Sequence, residues 1–592
     1  MKFEQTIRAA IISKSINMHA SSSTPLILAT IAWLFLIAVA SLCPTYSYIH
    51  IFFHLCGTPS GHIFSVAFLA WIFHDCRLIW RLVSFCINTK RRWRNVKYSP
   101  LTSANTYSDD EAEKQSLSTL EEQCKQSGKN EQSISTTSLR WIALDLAASV
   151  ILYFGLCLFA YIFWSPPTFD LDNILSNGAE DGDDAMLTFP PNFTFGASTS
   201  AYQVEGYNFN NQWSKFENET GIERCGAAAD MWNTFESDIH NLILAENGGL
   251  HLDALRLSVE WSRIEPQQGV FDEAALDKYA SWIALLHENE IEPIVTLHHF
   301  TNPIWFEDLG GFENDTAPLL VAPFVRKVAE RLGPQGVDRW ITINEIMVYA
   351  GNGYLMGEFP PGRSGELGTM LKVVRNMLLC HESMYNAIKE TNKDASVSIA
   401  KNTILYHPKS YFDLISIVTA AISDVYYNEM PIRVLKQQGT IDYLGINTYI
   451  RMKVAKFGSF MGFINPPDEQ SDMGWDLESQ VLYQTVKQYN SYLPELDIII
   501  TEHGVADGNM PDVRRKRFVK ESLIGLAVAI NDERVPVRGY LHWSLVDNFE
   551  WSSGFAPHFG LYHINLPNDQ KRTITEGGEL YRDIIDMHQI PL

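Results

Sequence analysis

The chain has 592 residues, 46% hydrophobic and 19% charged, with a formal net charge of −23. That length exceeds one average domain, and so acidic a chain offers no electrostatic footing for nucleic acid or an anionic membrane surface. Of the eight cysteines, Cys43, Cys56, Cys76, Cys86, Cys124 and Cys157 crowd the N-terminal part and only Cys225 and Cys380 follow. This excludes a disulfide framework, allows at most one bridge in the later part, and offers no Cys/His spacing for zinc.

Residues 1–100 read as an N-terminal membrane region with one or two transmembrane helices. The run 25–42 is uninterrupted and apolar, long enough to span a bilayer. The second candidate, 51–74, is broken by Gly57, Pro59 and Gly61. A basic flank follows (Arg77, Arg81, Lys90, Arg91, Arg92, Arg94, Lys97), which the positive-inside tendency places in the cytosol. Residues 101–140 are rich in Ser, Gln, Glu and Lys and read as a disordered cytosolic loop. A further span falls within 141–165, where 146–164 is apolar with an aromatic tip. An acidic linker at 166–184 then exits to the lumenal or extracellular side. Sequons at Asn192, Asn218 and Asn314 fit a glycoprotein domain there.

From 185 to 592 the pattern changes to short β-branched runs alternating with amphipathic helical stretches. Eight strands are predicted at 193–199, 254–261, 293–300, 340–346, 396–401, 441–449, 497–504 and 537–547, with helices such as 273–288 and 318–332 between them. This alternation predicts an α/β fold, a (β/α)8 TIM barrel preceded by transmembrane α-helices.

In such a barrel the reacting groups sit at the C-terminal ends of the strands. The fourth predicted strand reads WITINEI and presents Asn344 and Glu345. The seventh reads DIIITEHG and presents Glu502 after a run of isoleucines. A carboxylate there is costly unless paired or working, and either one alone would read as a salt-bridged strand end. Two on strands four and seven face each other across the barrel mouth and can flank one glycosidic bond. A retaining glycosidase needs such a pair roughly 5–5.5 Å apart, one protonating the leaving oxygen and the other attacking the anomeric carbon.

Seven motifs in order carry a resemblance: FTFGASTSAYQVEG, LRLSVEWSRIEP, TLHHFTNPIWF, TINEI, DYLGINTY, ITEHG and YLHWSLVDNFEWSSGFAPHFGLYHI. From about Phe189 to the C-terminus the chain resembles glycoside hydrolase family 1. The resemblance implies that Glu345 is the acid/base and Glu502 the nucleophile. It implies that Arg256 and Tyr449 support the nucleophile, a cation and a phenol donor favouring its ionised form. Gln203, His299, Asn344 and Glu550 match groups that grip the sugar hydroxyls, and Trp543 and Trp551 match the aromatic floor and a ring-nitrogen donor. Read without the motif, the two tryptophans are core aromatics and Arg256 a structural ion pair. His298 and His299 are adjacent on a strand and point to opposite faces, so they do not share a metal.

Family members that act on 6-phosphorylated sugars carry a serine and a lysine where this chain has Glu550, so an unphosphorylated glycone is expected. Ile346, Thr448, His503 and Phe300 depart from the family's usual proline, tyrosine, asparagine and tryptophan. The expected activity is hydrolysis of terminal β-D-glucosyl or galactosyl residues from a β-linked glycoside or oligosaccharide, with no metal or organic cofactor. Two alternatives are a membrane-tethered transglycosylase or glycolipid-acting enzyme, and a catalytically inactive carbohydrate-binding receptor. The presence of both carboxylates speaks against the last.

Overall fold

The computed structural model describes residues 140, 143–162, 165–181, 186–244, 248–456, 459–461, 469–566 and 570–592. The predicted spans at 25–42 and 51–74, the basic flank and nearly all of the 101–140 loop lie outside the described residues. Contacts divide the chain into two compact units, Met1–Ser165 with Tyr411–Leu414, and Pro166–Ser410 with Ile415–Leu592.

In the first unit, Ala143–Ile162 forms one helix of 20 residues with mean hydropathy 2.1. By length and composition it is long and apolar enough to cross a bilayer.

The second unit is built on eight parallel strands: β1 Thr194–Ser198, β2 Ala254–Ser258, β3 Glu292–His298, β4 Arg339–Asn344, β5 Ser396–Pro408, β6 Leu444–Lys456, β7 Ile498–His503 and β8 Val537–Trp543. Each pairs with its chain-order neighbour, and β8 returns to β1 with Gly539 opposite Thr194, so the sheet closes. All eight predicted strands are present; the fifth and sixth run longer than expected because β5 and β6 stay paired out to Pro408 and Val454.

Closure forces small and branched side chains inward. Ala254, Ile294, Ile341, Ala400 and Leu541 fill a layer of the interior. Gly196 is required beside them, since a Cβ there would meet the Ala254 carbonyl oxygen at 2.4 Å and a Leu541 methyl at 2.6 Å. Outside the strands, helices pack through apolar stripes. In Glu273–Glu288, Leu276, Tyr279, Ile283 and Leu286 are buried, and Asp272 caps the first turn by accepting from the Ala275 amide.

The expected linker at 166–184 is instead largely part of this unit. Phe169 is buried edge-on to Tyr483 at 5.3 Å, and its backbone exchanges two hydrogen bonds with the Gln480 amide. A helix follows at Leu171–Asp181, with Leu171, Ile174 and Leu175 packed on the core. The compact unit therefore takes in residues from Pro166 on, while the barrel strands themselves lie within the expected 185–592. Cys225 and Cys380 are both free and buried, so the allowed bridge does not form.

Candidate active site

Because every barrel strand is parallel, the carboxyl ends of β1 to β8 open on one face, and all ten predicted site residues gather there in one connected network.

Glu502 lies on β7 and is buried. Its Oε1 accepts from Nη1 of Arg256 at 2.5 Å, and its Oε2 accepts from the Tyr449 hydroxyl at 2.7 Å. Arg256, on β2, is fully buried; its Nε donates to Thr296 Oγ1 at 3.0 Å, and Nη2 donates to Asn344 Oδ1 at 2.7 Å. A guanidinium so completely engaged is a fixed charge. The nucleophile candidate therefore has one charged and one neutral donor, one on each oxygen.

Glu345 has different surroundings. It follows β4 in the left-handed region, φ 47° and ψ 60°, an unfavourable conformation for a side chain with a Cβ. Its backbone N–H donates to the Ala400 carbonyl, which holds the kink in place. Its Oε1 accepts only neutral amide donors, Asn447 Nδ2 at 2.8 Å and Asn402 Nδ2 at 3.1 Å. Burial first, and then the charge of Glu502, push this carboxyl up to about 7.

Asn344 joins the two halves. Its Oδ1 accepts from Arg256 and from Asn447 Nδ2, so its own amide N–H faces His299 Nε2 at 3.1 Å. Burial, then the nearby Arg256 charge, hold the His299 imidazole well below its ordinary value, hence neutral. With Nε2 accepting, the proton sits on Nδ1, which is buried without a protein partner. Gln203 presents the complementary group. Its Nε2 donates to Asn548 Oδ1 and the Phe549 carbonyl, both at 2.8 Å, while its Oε1 is buried and unpartnered. A free donor and a free acceptor in one buried site are suited to sugar hydroxyls.

Glu550 accepts from the Trp543 ring N–H at 3.2 Å and is pushed up to about 8 chiefly by burial. Trp543 and Trp551 both lie nearly parallel to His299, at 5.9 and 6.0 Å. The Trp543 ring N–H thus serves Glu550. His298 points away from the site, to Asn302 at 2.8 Å, as strand alternation requires.

Sequence reading missed Asn447 and Asn402, the two amides on Glu345. Asn447 lies two residues before Tyr449 on β6, so the two share a face, and this parity was the available signal. Among the described residues, Asp547, His558 and His563 bring potential metal ligands together. Both histidine Nδ1 atoms lie 2.8 Å from Asp547 Oδ2, and the Gly560 and Ile564 amides also donate to this carboxylate, which anchors the loop carrying Glu550.

The model of the glycosyl hydrolase family 1 matches residues 185–425 and 425–590. Beta-glucosidase A of Acetivibrio thermocellus is 29% identical over 451 residues, 68% of this chain and 99% of that protein. The solved beta-glycosidase from Pyrococcus horikoshii superposes with a TM-score of 0.63 at 30% identity, over 69% of this chain and 96% of that one. A family 1 b-glucosidase from Thermotoga maritima superposes at 0.62 with 28% identity, over 68% and 99%. With the network of Glu345 and Glu502 at the mouth of an eight-stranded barrel, these matches establish that the chain belongs to glycosyl hydrolase family 1.

Proposed function

We propose that Glu345 and Glu502 carry out a double displacement on terminal, unphosphorylated β-D-glucosides or galactosides. The contrast between the two carboxyls carries this reading. Glu502, with Arg256 on one oxygen and Tyr449 on the other, attacks the anomeric carbon and forms a glycosyl ester as the aglycone oxygen leaves. Glu345, protonated up to about pH 7, gives its proton to that oxygen. The carboxylate left behind then takes a proton from water, which attacks the anomeric carbon and frees Glu502. The two carboxylates and their supports suffice for these proton and bond changes.

His299 Nδ1 and Gln203 Oε1 would bind glycone hydroxyls, with Trp543, Trp551 and Glu550 beside them. Asn344 would face the 2-hydroxyl, an interaction that tightens in the oxocarbenium-like transition state. A half-buried carboxyl at Glu550 disfavours a phosphate on the sugar.

The chain organisation is part of the same reading. A membrane region at 1–100, a cytosolic loop at 101–140 and a span at 141–165 would place the barrel on the lumenal or extracellular side. The apolar helix Ala143–Ile162 and the exposed Asn192 and Asn218 sequons support this. The barrel unit starts at Pro166, close after that helix in sequence. This favours a glycolipid as the second substrate class, by hydrolysis or transglycosylation. Turnover of 4-nitrophenyl β-glucoside, β-galactoside and a β-glycosyl lipid by residues 166–592 tests the reading. Activity on any of them supports a glycosidase, the preferred substrate selects between the two classes, and silence of the folded protein on all three rejects both.

A further inference from the structure

The fifth strand carries a buried cation that the double displacement does not use. Lys401, next to Asn402 on β5, is 2% exposed. Its Nζ lies over the Tyr427 ring, 4.5 Å from the centroid, and donates to the Asn402 carbonyl. Its partners are thus a ring face and a backbone oxygen, an unusual setting for a lysine this deeply buried.

From there a polar chain runs to the acid/base. The Tyr427 hydroxyl donates to Asn402 Oδ1 at 2.7 Å, and Asn402 Nδ2 donates to Glu345 Oε1 at 3.1 Å. A donor on Oδ1 fixes which way the Asn402 amide faces, so its N–H2 is aimed at Glu345. Tyr427 lies in a π-helical turn, Val425–Glu429, a rare local geometry that recurs at functional sites.

We propose that Lys401 is a positioning residue for the acid/base: with Tyr427 it orients Asn402 against Glu345, and its charge shifts the pH at which Glu345 loses its proton. The inference rests on Glu345 being the acid/base. The charged and titratable groups around Lys401 are Glu345, Asp424 and Tyr427. Asp424 is held by Tyr492, Asn428 and Gln488. Glu345 is faced in turn by Glu502 and Arg256. Burial lowers the Lys401 amine to about 7, partly offset by the negative charge of Glu345 and then Asp424. Glu345 is the first charge acting on the Lys401 amine, and such an interaction is mutual, so a charge at Lys401 acts back on Glu345. An ammonium favours the ionised Glu345 that removes a proton from water in the second half-reaction, while a neutral amine leaves the acid protonated.

The test is the pH profile of kcat/KM for a β-glucoside with a poor leaving group, using the full chain. Lys401→Met is expected to move the alkaline limb up by about half a pH unit or more, and Lys401→Arg, with a permanent charge, to leave it in place or move it down. With 2,4-dinitrophenyl β-glucoside, whose departure needs little protonation, Lys401→Met is expected to lose less than about twofold in kcat/KM. An unmoved limb in Lys401→Met, or shifts in the same direction for Met and Arg, overturns the proposal. If Lys401→Met does not fold, Tyr427→Phe decides: a loss confined to the poor leaving group supports the chain, and equal losses or none with both substrates reject it. Glu345→Ala separates the two levels. If that variant keeps the wild-type limb, the acid/base reading itself fails; if it loses the limb while Lys401→Met keeps it, only the role of Lys401 fails.

Discussion

The Tyr449 hydroxyl donates to Oε2 of Glu502 at 2.7 Å, while the other oxygen belongs to Arg256. The two donors come from β6 and β2, so the carboxylate is held from two directions across the barrel. Tyr449→Phe removes one donor and keeps the ring. A hydrogen bond to a charged group contributes about 1.5–3 kcal/mol, so kcat/KM should fall about 10- to 100-fold with the fold intact. A steady-state comparison with wild type, beside circular dichroism, checks this; a loss below about twofold would leave Arg256 as the sole support.

Glu345 is pushed up to about 7 by burial and by Glu502. The alkaline limb of kcat/KM on a poorly activated glucoside should accordingly fall near pH 7, because the first step needs the protonated acid. A profile from about pH 5 to about pH 9 locates it. The limb should vanish in Glu345→Gln, and persistence there would point to another acid.

The same shift makes a stability prediction. The folded chain binds this proton more tightly than the unfolded one, so stability is complete below the ordinary value of 4.5 and is lost as pH rises through about 7. Above that, the buried charge costs up to about 3 kcal/mol. Glutamine keeps an oxygen for Asn447 and Asn402 but cannot ionise. Thermal melts should therefore show Glu345→Gln more stable than wild type at about pH 8 and equal to it at about pH 4.5. A lower Tm at the alkaline pH would contradict the assignment of strain to this acid.

Much of this was legible in the sequence for physical reasons. The barrel strands are short β-branched runs, and the helix at Glu273–Glu288 appears with the predicted bounds because Asp272 and an apolar stripe define it. Glu345 and Glu502 stood out because a carboxylate after a run of isoleucines or beside a strand end is costly. The packing of the stretch before 185 was hidden: Asp181, Asp183 and Asp184 gave it an acidic signature that masked Phe169, Leu171, Ile174 and Leu175. The fifth strand, expected at 396–401, runs on to Pro408 and so carries Asn402, which local pattern does not mark. Its contact with Glu345 depends on β5 continuing beside β6, a long-range pairing that local pattern does not carry.

Glu550 provides the specificity test. Half-buried and held by the Trp543 ring N–H, it puts a carboxyl where a phosphate would need a cation, so 4-nitrophenyl β-glucoside 6-phosphate should be turned over at least about 100-fold more slowly than the unphosphorylated sugar. Equal rates would move the phosphate-facing side of the glycone site elsewhere.

The most direct measurement is azide rescue of Glu502→Ala on 4-nitrophenyl β-glucoside, or on whichever glycoside the wild type prefers. The variant should lose nearly all turnover, and azide should restore it by attacking the anomeric carbon in the space vacated by the carboxylate, giving the inverted α-glycosyl azide. Recovery of a β-glycosyl azide, or rescue with inversion in Glu345→Ala instead, would contradict Glu502 as the nucleophile.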